Sequence, residues 1–498
     1  MAEFPAFVGG YTRSQSPIAN CGTLQNLYVQ GLPPGSKSGG ALYPTPGVTQ
    51  FGSVTQAGGR RLFSTAAGAG RVFSVIGATL YEWLVDGTSV NRGTVAQDAN
   101  PASICTNGGG GQQLGITSGT NFYVLDLLTN VLTQVAFLDG KATLAGFISG
   151  YFLVFDIVTG TVYQSDLYDG LTFDPLNFFQ RNTQADDWNG FYVTSLGRIF
   201  LPGSKTRDNY ENIGTFPIPF APSAAGLQPE GIAAPFSIAE AGAFTCWLGT
   251  AGQNGGYRVY AASGYRAEAI STEAIDFALS QATQDEITTA TGESYTDQGA
   301  VFYLLYVGDT TYTFDFSSGQ WHTRRSFVNA TSGELGPWRC TWHCFGFNKH
   351  LWLDATTGVI YESDISFPSD VDGLVIQRER TTPSVFVNSY LDIGEIELKV
   401  QTGVGNQVAP GDDPQITLEM SHDGGMTWGA QRSASTGRVG DYTLRVRWQA
   451  NGAADVRELA LRFRSTTPVN NHRWISLFAE VMDERGRPVA LPGGGQAA

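Results

Sequence analysis

The residues of this chain with the strongest claim on chemistry form a thiol–imidazole group, Cys340-Thr341-Trp342-His343-Cys344 followed by His350. Structural zinc takes a Cys-x2–4-Cys knuckle with a second ligand pair elsewhere, and the spacing here is admissible. The neighbours argue for another role. Trp338, Cys340, Trp342 and Cys344 alternate, which places all four on one face of a strand, where both thiols act as small buried hydrophobes. The five cysteines (21, 105, 246, 340 and 344) are few, scattered and odd in number, so no disulfide framework is expected and a reducing cytosol is the natural site of synthesis. Gly108–Gly111 lacks the Gly-Lys-Ser/Thr ending of a phosphate-binding loop. Gly203-Ser204-Lys205-Thr206 lacks the first glycine at the required distance. The five histidines show no spacing that marks a His-Asp-Ser set. The residues therefore predict no catalytic, cofactor or metal site, and a protein that is not an enzyme.

One further motif needs weighing. Ser421-His422-Asp423-Gly424-Gly425-Met426-Thr427-Trp428 fits Ser-x-Asp-x-Gly-x-Thr-Trp and resembles the Asp-box of sialidases and other propellers. There the aspartate bonds the backbone of a hairpin turn and the tryptophan packs beneath it. The expectation is a turn-stabilising device at Ser421, Asp423, Gly425, Thr427 and Trp428. A sialidase would also need an arginine cluster and a tyrosine nucleophile with a carboxylate partner, and no spacing ties such a set together.

Composition limits the elements that position these residues. Of 498 residues, 42% are hydrophobic and 15% charged, against a usual charged share of about 25%. With 62 glycines and 12% aromatics, the chain has apolar side chains to bury and the glycine that many tight turns require, so an all-β architecture of short strands is expected. Net charge is −15, with five lysines among thirty basic residues. Tight wrapping of nucleic acid is disfavoured, because phosphate contacts need clustered Lys and Arg. Between Ala430 and Ile475 the balance is instead +5, from arginines 432, 438, 445, 447, 457, 462, 464 and 473 against Asp441, Asp455 and Glu458. Arg445, Arg447, Arg462 and Arg464 are candidates for a subunit or adaptor interface, with a solvated strand face as the alternative. No secretory signal and no membrane-spanning apolar run is evident.

Internal repeats set the architecture. FYVLDLLTNVL (Phe122 to Leu132), FLVFDIVTGTVY (Phe152 to Tyr163), TYTFDFSSGQW (Thr311 to Trp321) and LWLDATTGVIY (Leu351 to Tyr361) each read as a hairpin whose aspartate opens the turn and whose Gly or Asn takes the left-handed position. A weaker fifth copy is LYEWLVDGTSV at 80–90. Such hairpins predict blades of a β-propeller, with an irregular sandwich as the alternative. The expected organisation is an arm at 1–60 packing on the platform domain, a propeller-like domain at 61–380, a β-sandwich platform at 381–485 and a flexible tail at 486–498. Pro202 to Pro235 reads as an inserted loop or arm, and Arg207, Tyr210, Phe216 and Phe220 within it are candidates for a gate. Very little helix is expected, with Ser271–Ala282 the clearest segment.

Three stretches resemble a known family, the packaged-DNA stabilisation (tail nozzle or hub) proteins of short-tailed bacteriophages. They are RSQSPIANCGTLQNLYVQ (Arg13 to Gln30), the segment from Ala269 to Ser326 with its Ser-Thr-x-Ala-Ile helix and Trp-His-x-Arg, and the segment from Pro414 to Ser465 with its Ser-x-Asp-Gly-Gly-x-Thr-Trp and Arg-Val-x-Trp. The resemblance implies a structural virion protein of the short tail, assembled in the host bacterial cytoplasm, without cofactor. It implies a homohexameric ring below the portal and adaptor that lines and closes the DNA conduit, retains the packaged genome and lets it through on ejection. Implied partners are the head–tail adaptor, a tail needle or fibre and spike proteins, and DNA passing without sequence recognition, with no membrane. The alternative is a propeller-type tail protein that binds or degrades glycans.

Overall fold

The computed structural model describes residues 2–33, 39–181, 184–251, 255–329, 331–449, 451–469, 472–483 and 485–489. Its larger part is a propeller of seven four-stranded antiparallel blades. In chain order they occupy residues 59–94, 103–134, 144–180, 192–222, 239–269, 291–329 and 340–364. The last span supplies three strands, and Gly47–Ser53 supplies the fourth, with Val359 opposite Ser53 and Asp364 opposite Gly47. An early strand thus closes the circle on blade 7, so blade 1 and blade 7 share their core as other neighbours do.

The four hairpin repeats fall at two places: the turn between third and fourth strands in blades 2 and 6, and that between second and third strands in blades 3 and 7. Their aspartates act as the pattern requires. Asp126 accepts from the N–H of Leu128 (2.8 Å) and Thr129 (2.9 Å), Asp315 from that of Ser317 (2.8 Å), and Asp354 from that of Thr356 (2.8 Å). The weaker copy at 80–90 lies at the turn between third and fourth strands of blade 1, the place taken by the repeats of blades 2 and 6. Between blades the apolar faces interlock. Trp83 of blade 1 meets Trp342 and Leu353 of blade 7, and Phe152 of blade 3 meets Phe122 of blade 2.

The expected inserted arm at 202–235 needs correction. Ile199–Pro202, Arg207–Asn212 and Phe220–Pro222 are the second, third and outermost strands of blade 4. Their shortness and proline content hid the blade pattern. Helix is scarce, as composition suggests: Glu273–Gln281 covers the expected segment, and Gln284–Thr288 follows with a Thr283/Glu286 capping box.

The smaller part is a sandwich. One layer runs Thr23–Gln25, Arg378–Thr381, the second half of Ala453–Ser465, Gln415–Ser421 and Arg432–Ser435. The other contains Leu27–Gly31, Gly40–Pro44, Trp474–Asp483, Val385–Val400 and Val446–Gln449. The first layer continues into the propeller, because Gln25 pairs in parallel with Thr323 of blade 6. Residues 1–60, expected as one arm, therefore divide: Phe4, Phe7, Leu24, Leu27 and Leu42 enter the sandwich core with Trp448, Phe463 and Trp474, whereas 47–53 belongs to blade 7. At the other end Val489 N–H donates to Val481 O, folding the start of the expected tail onto the last strand. The rest of that tail, from residue 490, lies outside the described residues.

Candidate functional site

The thiol–imidazole group divides between two cores. A β-bulge between Cys340 and Trp342 breaks the alternation, so Cys340 packs with Trp338 and Trp352 while Cys344 packs with Trp342 and Leu351. Burial pushes both thiols up. Across the hairpin, His343 Nε2 and His350 Nδ1 stand 3.0 Å apart, and His350 Nε2 lies 3.9 Å from Asp297. Among the described residues no three His, Cys, Asp or Glu groups converge as metal ligands.

The Asp-box segment builds a turn. Ser421 Oγ accepts from Gly425 N (2.7 Å) and donates to Asp423 Oδ1 (2.7 Å), while Asp423 accepts from both Thr427 N (2.9 Å) and Thr427 Oγ1 (2.6 Å). Partial burial raises the Asp423 carboxyl, but bonds from Thr427 and Ser421 outweigh it and hold the pKa at about 2. Trp428 is half-buried, with the Arg462 guanidinium 4.1 Å from its ring centroid. The turn also clamps the N-terminal segment: Gly425 has φ +89°, and a Cβ there would stand 2.8 Å from Cys21 Cβ. Gly425→Ala should therefore cost about 1–3 kcal/mol and loosen residues 18–21, measured by urea denaturation and by proteolysis at Arg13. An unchanged midpoint would refute the clamp.

The four candidate arginines fall on opposite outer faces. Val446 and Trp448 point into the core and meet Phe463 from the other layer (Trp448–Phe463 centroids 5.6 Å). Arg445 and Arg447 therefore face out from one layer, paired with Glu397 and Glu395. Arg462 and Arg464 face out from the other, bound to Glu419 at 2.6 and 3.2 Å, with Arg464 also on Glu379. They do not form one patch.

The gate candidates separate too. Arg207 is wholly buried, with Glu230 at 3.2 Å and the Trp247 ring at 5.4 Å. Tyr210 stacks on Phe179 at 5.3 Å, and Phe220 is buried beside it, so only Phe216, 94% exposed, stands in a free loop.

Sequence reading missed the propeller axis, since its lining comes from six blades far apart in the chain. First strands surround a cavity of about 790 Å³ lined by Arg61, Ser103, Cys105, Phe147, Tyr192, Glu240 and Trp342, among others. Arg61 lies 5.0 Å from the Trp342 ring and 3.5 Å from Glu293, whose carboxyl burial pushes up. Glu240 accepts from Ser195 N (2.9 Å) and Oγ (2.6 Å). This volume suits a small ligand.

Two family profiles match the chain in succession: "Bacteriophage P22 Gp10, beta-propeller" over residues 9–366 and "Bacteriophage P22 Gp10, beta-sandwich" over residues 377–474. The chain belongs to the bacteriophage P22 Gp10 family. It is accordingly a structural component of a phage tail, and the two profiles divide where the propeller ends and the sandwich begins. No curated protein sequence matches it. Among solved structures it is similar to PorZ, a component of the type-IX secretion system of Porphyromonas gingivalis (10% identity, TM-score 0.37), with 70% of this chain covering 44% of PorZ. It is similar to virginiamycin B lyase of Staphylococcus aureus (7% identity, TM-score 0.42), covering 64% of this chain and 98% of the lyase. The Neurospora crassa Pan2 WD40 domain (9% identity, TM-score 0.38) covers 64% of this chain and is itself 94% covered. None of these distant likenesses bears on activity.

Proposed function

We propose that this chain forms the nozzle, or hub, ring of a short phage tail, below the portal and its adaptor, where it lines and closes the DNA conduit. The ring retains the packaged genome and opens on ejection. The observation that carries this reading is the match of both Gp10 domains, in order, along one chain. Two physical features support it. The first strands of the propeller enclose a cavity of only about 790 Å³, lined by Arg61 and Trp342 among others, which favours a conduit between subunits over one through a subunit. The net charge of −15 and the scarcity of lysine give DNA few phosphate contacts to hold it as it slides past. The partners in this reading are five further copies, the head–tail adaptor, and a tail needle or fibre. Assembly takes place in the host cytoplasm.

Light scattering or mass photometry of the purified chain, alone and with adaptor and portal proteins, tests it. The expected result is a species near six subunit masses, free or on the adaptor. A chain that stays monomeric beside both partners overturns the reading.

A further inference from the structure

The blades differ at their outer edges. The outermost strand has six residues in blade 1, three in blades 2 and 4, and four in blade 5. That of blade 6 is covered by Thr23–Gln25. In blade 3 it has twelve, Asp169–Gln180, with a bulge between Phe173 and Phe178, and it presents Leu171, Leu176 (in the bulge) and Phe178 to solvent, Leu176 being 79% exposed. Leu167 and Tyr168 extend the apolar surface at the turn that leads into it. A long apolar edge is a hazard unless something covers it. This one is already closed to strand addition at two points. The N–H of Leu171 donates to its neighbour Asp169 and that of Leu176 to Asp174 (2.9 Å each), and Pro175 has no N–H. The side chains are thus offered for packing while part of the backbone is capped. The edge itself is acidic: Asp166, Asp169 and Asp174 lie along it, Asp156 is buried, and Lys141 lies over the Tyr163 ring, which neighbours Phe178.

The same chain carries a surface of complementary character. Residues 438–445 of the sandwich are exposed without interruption, with Val439, Asp441, Tyr442 and Leu444 between Arg438 and Arg445, two cations to one acid. Arg445 pairs with Glu397, whereas Arg438 among the described residues has no carboxylate at ion-pair distance. The sandwich joins the propeller at blade 6, and blade 3 lies three blades away in one direction and four in the other. The two apolar patches thus belong to different domains, one on blade 3 of the propeller and one on the sandwich that joins it at blade 6. Contact between unlike patches is head-to-tail, the kind that closes into rings.

We propose that the outer edge of blade 3 of one copy packs against the 438–445 turn of the next, and that this repeated contact builds the ring. The inference rests on the ring reading above and names the surfaces that make it.

Full-length Leu176→Glu and Tyr442→Glu chains test it by mass photometry under conditions where the unaltered chain assembles, alone or on the adaptor. Both sites are exposed, so thermal melts should stay within a degree or two of the parent; Leu171→Glu replaces Leu176→Glu if they do not. Each variant alone is expected to lose assembly and run as a monomer. Mixed one to one, they should form a dimer and nothing larger, because the first retains an intact 438–445 face and the second an intact blade 3 edge. Variants that assemble as the parent does overturn the inference while leaving the ring reading intact. So does either variant forming a dimer alone, which would mark a like-with-like contact. A parent chain that stays monomeric with adaptor and portal removes the ring reading itself.

Discussion

Replacing Arg380 with leucine is expected to destabilise the chain by about 3–5 kcal/mol and to free its first twenty-five residues or so from the sandwich. Arg380 is 1% exposed, and burial pushes its pKa down to about 9, so it remains charged at neutral pH. Its guanidinium donates from Nε to Phe7 O (2.7 Å), from Nη2 to Ala6 O (2.7 Å), and from Nη1 to Gly10 O and Thr23 O (3.1 Å each). A single side chain thus holds four backbone carbonyls of the N-terminal segment. Leucine has the bulk to limit the cavity but leaves those carbonyls without donors, at about 1–3 kcal/mol for each that stays buried. Arg380→Lys keeps the charge with three mobile donors in place of a planar fork, so an intermediate loss is expected. Urea denaturation gives the stability, and the rate of proteolysis at Arg13 reports release of the segment. If Arg380→Leu leaves both unchanged, the anchoring role is wrong.

That anchor shows where sequence reading stops. The hairpins of blades 2, 3, 6 and 7 are legible because the aspartate and the flanking strands lie within about ten residues; the expected left-handed residue is found at Asn130, Gly160 and Gly319, whereas Gly358 of blade 7 does not take that conformation. The Asp-box turn is legible for the same reason: Ser421, Asp423 and Thr427 satisfy one another locally. Blade 4 escapes detection because its two outer strands hold six and three residues and are interrupted by prolines. Gly47–Ser53 pairs with residues more than three hundred positions away, so nothing near it in the chain reveals that it closes blade 7. The arginines are a subtler case. Alternation correctly turns Arg445, Arg447, Arg462 and Arg464 outward, but period two cannot say which layer a strand joins. The layers are set by pairing with Val385–Val400 on one side and Gln415–Ser421 on the other, and this parts the four into two sets. Arg207 misled because an arginine in a polar, proline-rich stretch suggests a surface, whereas Glu230, Phe200 and Trp247 compensate its burial.

The junction of propeller and sandwich is expected to loosen on mild acidification, through two histidines kept neutral by burial. His322, in the outer strand of blade 6, lies 6.3 Å from the Tyr28 ring and 6.1 Å from the Phe302 ring. Burial first, and Arg324 second, hold its pKa at about 3. His472 is wholly buried, and burial together with Arg378 holds it at about 3. In the unfolded chain both titrate near 6.5. Below that pH the unfolded chain takes up protons that the folded chain refuses, so stability falls as pH falls from 6.5 toward 3. Each histidine then costs about 1.4 kcal/mol per pH unit, or about 2 kcal/mol at pH 5. Glu293 and Asp370 act in the opposite sense. Burial pushes their carboxyls up, the folded chain binds their protons first, and they add stability as the pH drops. A difference measurement separates the two. Between pH 7 and pH 5, His322→Phe and His472→Phe should each lose about 2 kcal/mol less than the parent chain in urea denaturation, whatever the substitution does at pH 7. Equal losses in parent and variant would mean that the imidazoles accept protons in the folded chain as readily as in the unfolded one, which their packing beside Arg324 and Arg378 argues against.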